Sequence, residues 1–190
     1  MHQYTHDDNL KNLTPTQKER EAQANCGPSS AAIVLRSMGL KSPSLHDLRV
    51  SVGAATGKQN LEAYAIDSDQ LIRMVEKAAT EQGHQVHGVA IDLPRDAHAA
   101  WKEIRSRTFP GQPVVLLTGN MASRGPGHYV VMESLRGDTL QVNDPQFEDG
   151  HGTQHSFEEF KAAFERRQRL GRPNRIITFL PDLAKAAQPR

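Results

Sequence analysis

The sequence predicts an α+β fold, helices first and a mostly antiparallel sheet second, built as one domain. Three observations carry this. Up to about residue 110 the apolar residues recur mainly at helical spacing, and from Pro113 onward the period shortens to that of strands. Strands and helices do not alternate in the βαβ manner that marks a dinucleotide-binding fold, and no internal repeat is visible. The 190 residues, 37% of them hydrophobic and 24% charged, suffice for one sizeable core without metal or disulfide staples.

Residues 1–22 are polar, include Asp7, Asp8 and Asn9, and hold no sustained periodicity, so a mobile arm or a poorly packed helix is expected there. After Cys26, Gly27 and Pro28, the residues Ala31, Val34, Leu35 and Met38 repeat at helical spacing as far as Gly39. Proline suits a first helical turn and glycine the left-handed position beyond the last, so a buried helix begins at the cysteine. Ser44 can cap a short helix over 45–50, and Ser68 precedes an amphipathic helix through Leu71, Ile72, Met74, Val75 and Ala78 that ends near Gly83. The segment 53–65 between them, small and polar, reads as a loop walling a cleft.

A strand is expected over 84–90, then a helix opened by Pro94 that runs through Trp101 and Ile104 and stops before Pro110. Strands follow over 113–118, 128–134 and 139–143, the last two joined through Arg136, Gly137 and Asp138 as a hairpin. Ser156 caps a helix over 157–167, and 175–180 is a closing strand. The domain therefore spans 23–181, with 182–190 a flexible tail.

Lys+Arg 23 against Asp+Glu 22 gives a net charge of +1 and no long-range field for phosphate backbones, which argues against nucleic acid as a partner. The apolar runs fall far short of the ~20 residues of a membrane span, so no membrane insertion is expected. No general secretory signal is visible at the start, so the protein is expected in the cytoplasm or exported by a signal-peptide-independent route. The arginines 166, 167, 169, 172 and 175 read as a solvated helix face. Neither His84 with His87 nor His151 with His155 makes a convincing metal site, and no cofactor is expected.

Cys26 is the single cysteine, so no internal disulfide can form. At a helix start, unpaired N–H groups and the macrodipole favour an anion, and with a neighbouring histidinium a thiol pKa falls from about 8.5 into the range ~3.5 to 7.5. The approach through Asn25, Gly27 and Pro28 is a turn with little bulk, which leaves the sulfur reachable. A thiolate needs a partner that can return a proton to the leaving group. Of nine histidines, His128 opens a strand directly after the Arg124-Gly-Pro-Gly turn, and the next strand ends in Asn143-Asp144-Pro145. The hairpin brings Asp144 close enough to hold the imidazole, the orienting part of a triad.

The string Asn25-Cys26-Gly27-Pro28-Ser29-Ser30, with Gly127-His128-Tyr129-Val130-Val131 and Asn143-Asp144-Pro145, resembles the papain-like cysteine peptidase domains related to bacteriocin-processing (double-glycine leader) peptidases. The resemblance extends from about residue 15 to 180 and includes the interval of 16 residues from His128 to Asp144. It implies a papain-like fold, a Cys26/His128/Asp144 triad and an acyl-enzyme route to amide cleavage in a protein or peptide substrate. Glutamine deamidation, acyl transfer to an amine and non-catalytic peptide binding are alternatives on the same fold. The family's oxyanion-hole glutamine commonly stands six residues before the cysteine; here that position is Arg20, and Gln17 and Gln23 are the amides available. The short, signal-free format fits a bacterial effector or toxin, for which an inhibitor or immunity protein would be a further partner.

Overall fold

A computed structural model describes residues 14–54, 65–109, 111–123, 125–147 and 150–181, with the side chains of 17, 18, 20, 21 and 181 outside that set. The expected tail 182–190 and most of the expected loop 53–65 lie outside the described residues. The chain order is α1 (Pro15–Gln23), α2 (Cys26–Ser37), α3 (Leu45–Ser51), α4 (Ser68–Thr80), β1 (Val86–Asp92), α5 (Ala97–Arg107), β2 (Val114–Thr118), β3 (His128–Arg136), β4 (Thr139–Asn143), β5 (Thr153–Ser156), α6 (Phe157–Arg169) and β6 (Arg175–Pro181). Helices lead and the sheet follows, which is the α+β class that the change of period predicts.

The six strands form one sheet in the order β1-β6-β2-β3-β4-β5, and every pairing is antiparallel. β2 lies inside it and is buried along its whole length, as its continuous run Val-Val-Leu-Leu requires. Alternate residues of the sheet feed two cores. Val115, Leu117, Val131, Ile177 and Phe179 pack against α2 and α4, whereas Val114, Leu116, Val130, Leu140 and Ile176 pack against α5 and α6. The sheet is thus the middle of three layers. Trp101 Nε1 and Arg105 Nη2 from α5 both donate to the Gly137 carbonyl at 3.4 and 2.5 Å, which fixes the tip of the β3–β4 hairpin.

Local chemistry explains most boundaries and a few departures. α4 starts one residue earlier than Ser68 suggests: Asp67 is the cap, accepting from Gln70 N at 2.7 Å while the Gln70 side chain reaches back to Asp67 N. Asp96, rather than Pro94, sets the start of α5 by accepting from Ala99 N. β1 runs two residues later than expected because it is the antiparallel partner of β6, from Val86↔Pro181 to Asp92↔Arg175. β5 has four residues with one buried, His155, too short and polar to announce itself. No helix among the described residues is long and apolar enough to cross a membrane.

One end of the sheet gathers the chemistry-bearing residues. There Asp92 lies beside Arg175, Arg175 opposite Leu117, Thr118 opposite His128, and β4 ends at Asn143.

Candidate active site

α2 begins at Cys26, and its first turn is shaped to leave donors free. Asn25 stands at the N-cap position, yet its side chain makes no capping bond. Its Oδ1 instead accepts from Arg49 Nε at 2.7 Å, and Arg49 Nη2 donates to the Ala24 carbonyl at 2.6 Å. Arg49 comes from α3 and is fully buried. It therefore clamps the turn before the cysteine and diverts the capping oxygen away from the helix end. Gly27 permits α2 to approach Ile66 closely, since a Cβ there would stand 2.8 Å from Ile66 Cβ. Ile66 in turn accepts from the Tyr129 hydroxyl at 3.0 Å through its carbonyl.

His128 opens β3, as predicted, and its Nε2 lies 2.6 Å from Asp144 Oδ1, both groups buried. Asp144 Oδ1 also accepts from Gln146 N at 2.8 Å. The pairing depends on a β-bulge. From Arg136↔Thr139 to Ser134↔Gln141 the hairpin is in one register; beyond Glu133 it shifts by one, to Met132↔Val142 and Val131↔Asn143. Asp144 follows opposite Val130, on the face that His128 shares by strand alternation. Without the extra residue it would oppose Val131 and face the other layer. The Glu133 carboxylate at the bulge pairs with His151 Nδ1.

Gly150 holds Asp144 from behind. Asp144 N donates to the Gly150 carbonyl at 2.9 Å, and a Cβ on Gly150 would collide with the Asp144 backbone oxygen and lie 2.8 Å from its carbonyl carbon. Gly150→Ala is expected to shift the carboxylate, cost about 1–3 kcal/mol of stability, and lower the imidazole pKa from its value of about 9. NMR titration of His128 checks this; an unaltered titration in the variant would count against Gly150 as the support of Asp144.

Electrostatically the sulfur and the ring each favour the other's charged form. Burial pushes the Cys26 thiol up, but it is overcome by the hydrogen bond and charge of His128, the Tyr129 backbone N–H and the Arg49 guanidinium, so the pKa lies below the ordinary thiol value. Burial pushes His128 down, and is overcome by hydrogen bonds to Asp144 and Cys26 and by their charges, which raise it to about 9. With Nε2 on Asp144, the other ring nitrogen, Nδ1, is the one turned to Cys26. His155 lies near both Asp144 and His128; burial pushes its pKa below the ordinary imidazole value, and neither ring nitrogen has a hydrogen-bond partner among the described residues.

The half-buried Cys26 borders a cleft of about 560 Å³ walled by Ile66, Leu117, Pro126, Gly127 and Tyr129. Gln23, at the end of α1, lines it too, with its amide directed back to Glu19 Oε1 at 3.5 Å. Gln17 stands on the same helix, its side chain outside the described residues. The arginine cluster is not one solvated face. Arg167 is buried, donating to the carbonyls of Pro173 and Pro126, and Arg166 bonds the carbonyls of Asn120 and Ser123. Among the described residues no group of three or more His, Cys, Asp or Glu comes together in a way that could hold a metal ion.

A helix-borne thiol, a strand-borne imidazole and a carboxylate just beyond the next strand's end, at a cleft on a three-layer α+β frame, define the class as a papain-like cysteine peptidase fold. A model of the Peptidase_C39 like family matches residues 5–171, and the chain belongs to that family. Solved structures agree in fold. A double-glycine motif protease from an AMS/PCAT transporter, solved with its leader peptide, superposes with a TM-score of 0.54 at 16% identity, covering 82% of this chain and 84% of that one. The peptidase domain of Streptococcus ComA, a bifunctional ABC transporter of a quorum-sensing pathway, gives 0.53 at 18% identity over 84% and 91%. A C39-like peptidase from Bacillus anthracis gives 0.53 at 14% identity over 83% and 88%. No curated protein matches the sequence.

Proposed function

We propose that the chain is a thiol peptidase acting through Cys26, His128 and Asp144. The observation that supports this most is the continuous hydrogen-bonded series from Cys26 through His128 to Asp144, opening on a peptide-sized cleft. The Cys26 thiolate attacks the carbonyl carbon of a bound amide. The oxyanion is received by the Cys26 backbone N–H, which no side chain caps, together with an α1 glutamine amide, Gln17 or Gln23; such a donor contributes about 3 kcal/mol. The tetrahedral intermediate collapses as the imidazolium gives its proton to the leaving amine, and a thioester remains on the sulfur. His128 then deprotonates water, which attacks the thioester carbonyl and releases the acid. Asp144 keeps the ring oriented and offsets its charge in both halves.

Incubating a proteome-derived peptide library with wild type and Cys26→Ala tests the reading. New peptide termini that depend on Cys26 support it; side-chain deamidation without chain cleavage, or acyl transfer to an added amine, would replace it. Turnover is expected to hold from the depressed thiol pKa up to about 9, falling in acid as the thiolate protonates and above about 9 as the imidazolium loses its proton. A rate that instead rises steadily through pH 9 would refute a pre-formed ion pair of Cys26 and His128.

A further inference from the structure

The cleft beside Cys26 is uneven in charge. Its lining combines the apolar Ile66, Leu117, Pro126 and Tyr129 with Arg167, Arg172 and Arg175, the three arginines gathered about Pro173, whose carbonyl accepts from Arg167 Nε. Asp67 is the one carboxylate among the described lining residues, and it is engaged in capping α4. Arg167 is fixed in the wall by two carbonyls and buried there. Arg175 donates Nε to Asp92 at 2.5 Å, which orients it at the sheet end and leaves its remaining N–H groups available to a ligand. Arg172 is exposed, and no ion pair with it is seen among the described residues. The chain as a whole carries only +1, so three guanidinium groups in the lining of one cleft are a local arrangement.

The spacing of Arg175 from the imidazole follows from the sheet. Arg175 on β6 is opposite Leu117, and Thr118 on β2 is opposite His128 on β3, so two strand intervals separate the arginine from the imidazole. Two intervals of about 4.8 Å make roughly 10 Å, which an extended peptide covers in about three residues. Resting on the peptidase reading above, we infer that this arginine-lined part of the cleft is a subsite for an acidic side chain, so the enzyme selects Asp or Glu about two to four residues to one side of the scissile amide. Carboxylates suit it because guanidinium groups bind them in a planar fork, and the Arg167 charge, already desolvated, gains most from an anion.

Cleavage-site profiling of the peptide library with wild type, Cys26→Ala, Arg172→Glu and Arg169→Glu tests this. Arg169 lies outside this cleft, exposed beside Glu165 at 3.9 Å, and serves as the charge control. In wild type, Asp and Glu should be enriched about fivefold at one fixed position, the magnitude of an exposed ion pair. Arg172→Glu should abolish that enrichment or turn it toward Lys and Arg, and Arg169→Glu should leave it unchanged. Cys26-dependent cuts without acid enrichment, or with enrichment untouched by Arg172→Glu, overturn the subsite alone. Absence of any Cys26-dependent cut overturns the peptidase reading and the subsite together.

Discussion

In His128→Ala, the Cys26 thiol is expected to lose its low pKa, and turnover should fall by at least about 10³-fold. Burial is the largest influence on the sulfur, and His128 supplies the two largest opposing ones, its hydrogen bond and its charge. With the ring gone, only the Tyr129 N–H and the Arg49 charge oppose burial, so the thiol returns to about its ordinary value or above. At pH 6 the thiolate fraction then drops to about one in a thousand, and alkylation by a thiol-directed probe slows accordingly. Rapid labelling at pH 6 in wild type, persisting unchanged in the variant, would mean that some group other than His128 activates the sulfur. A double variant with Asp144→Ala should be scarcely worse, because Asp144 acts through the ring.

The largest stability effect is expected from Arg49→Met. Methionine replaces much of the buried stem, but Asn25 Oδ1 and the Ala24 carbonyl lose their donors. Buried acceptors left unpaired cost about 1–3 kcal/mol each, so a loss of about 3 kcal/mol is expected, seen as a fall in Tm of roughly 6–12 °C for a chain this size. Released from Arg49, the turn that carries Cys26 loses its clamp, and the thiolate loses a neighbouring positive charge. Thermal unfolding and turnover should therefore both suffer, and turnover should remain low even at temperatures where the variant is folded. A fall in Tm of a degree or less would show that the clamp contributes little.

How much of this was legible depends on whether local chemistry or distant packing decides each residue. α2 could be read because Pro28 and Gly39 punctuate an apolar stripe, and the hairpin because Gly137 adopts the left-handed φ of 54° at its tip. The three site residues could be read because their chemistry is unusual at those places: a thiol at a helix start, and an imidazole at a strand start one hairpin away from a carboxylate. Arg49 could not. On a seven-residue helix between Leu48 and Val50 it is indistinguishable from a solvated arginine, and its burial follows from where α3 packs. The arginines of α6 and the following turn misled for the same reason in reverse, since sequence proximity hides that Arg167 turns inward while Arg169 does not. β5 needed its neighbour: it exists because β4 offers an edge to pair with.

The bulge at Glu133 turns a count into a matter of phase. Around a two-residue tip such as Gly137-Asp138, positions an even number apart project to opposite sides of a flush hairpin, and His128 and Asp144 are 16 apart. One unpaired residue converts that conflict into agreement. Any lineage that trims or lengthens this ribbon by a single position must restore the parity elsewhere, or its carboxylate will point into aliphatic packing while the ring waits on the far side.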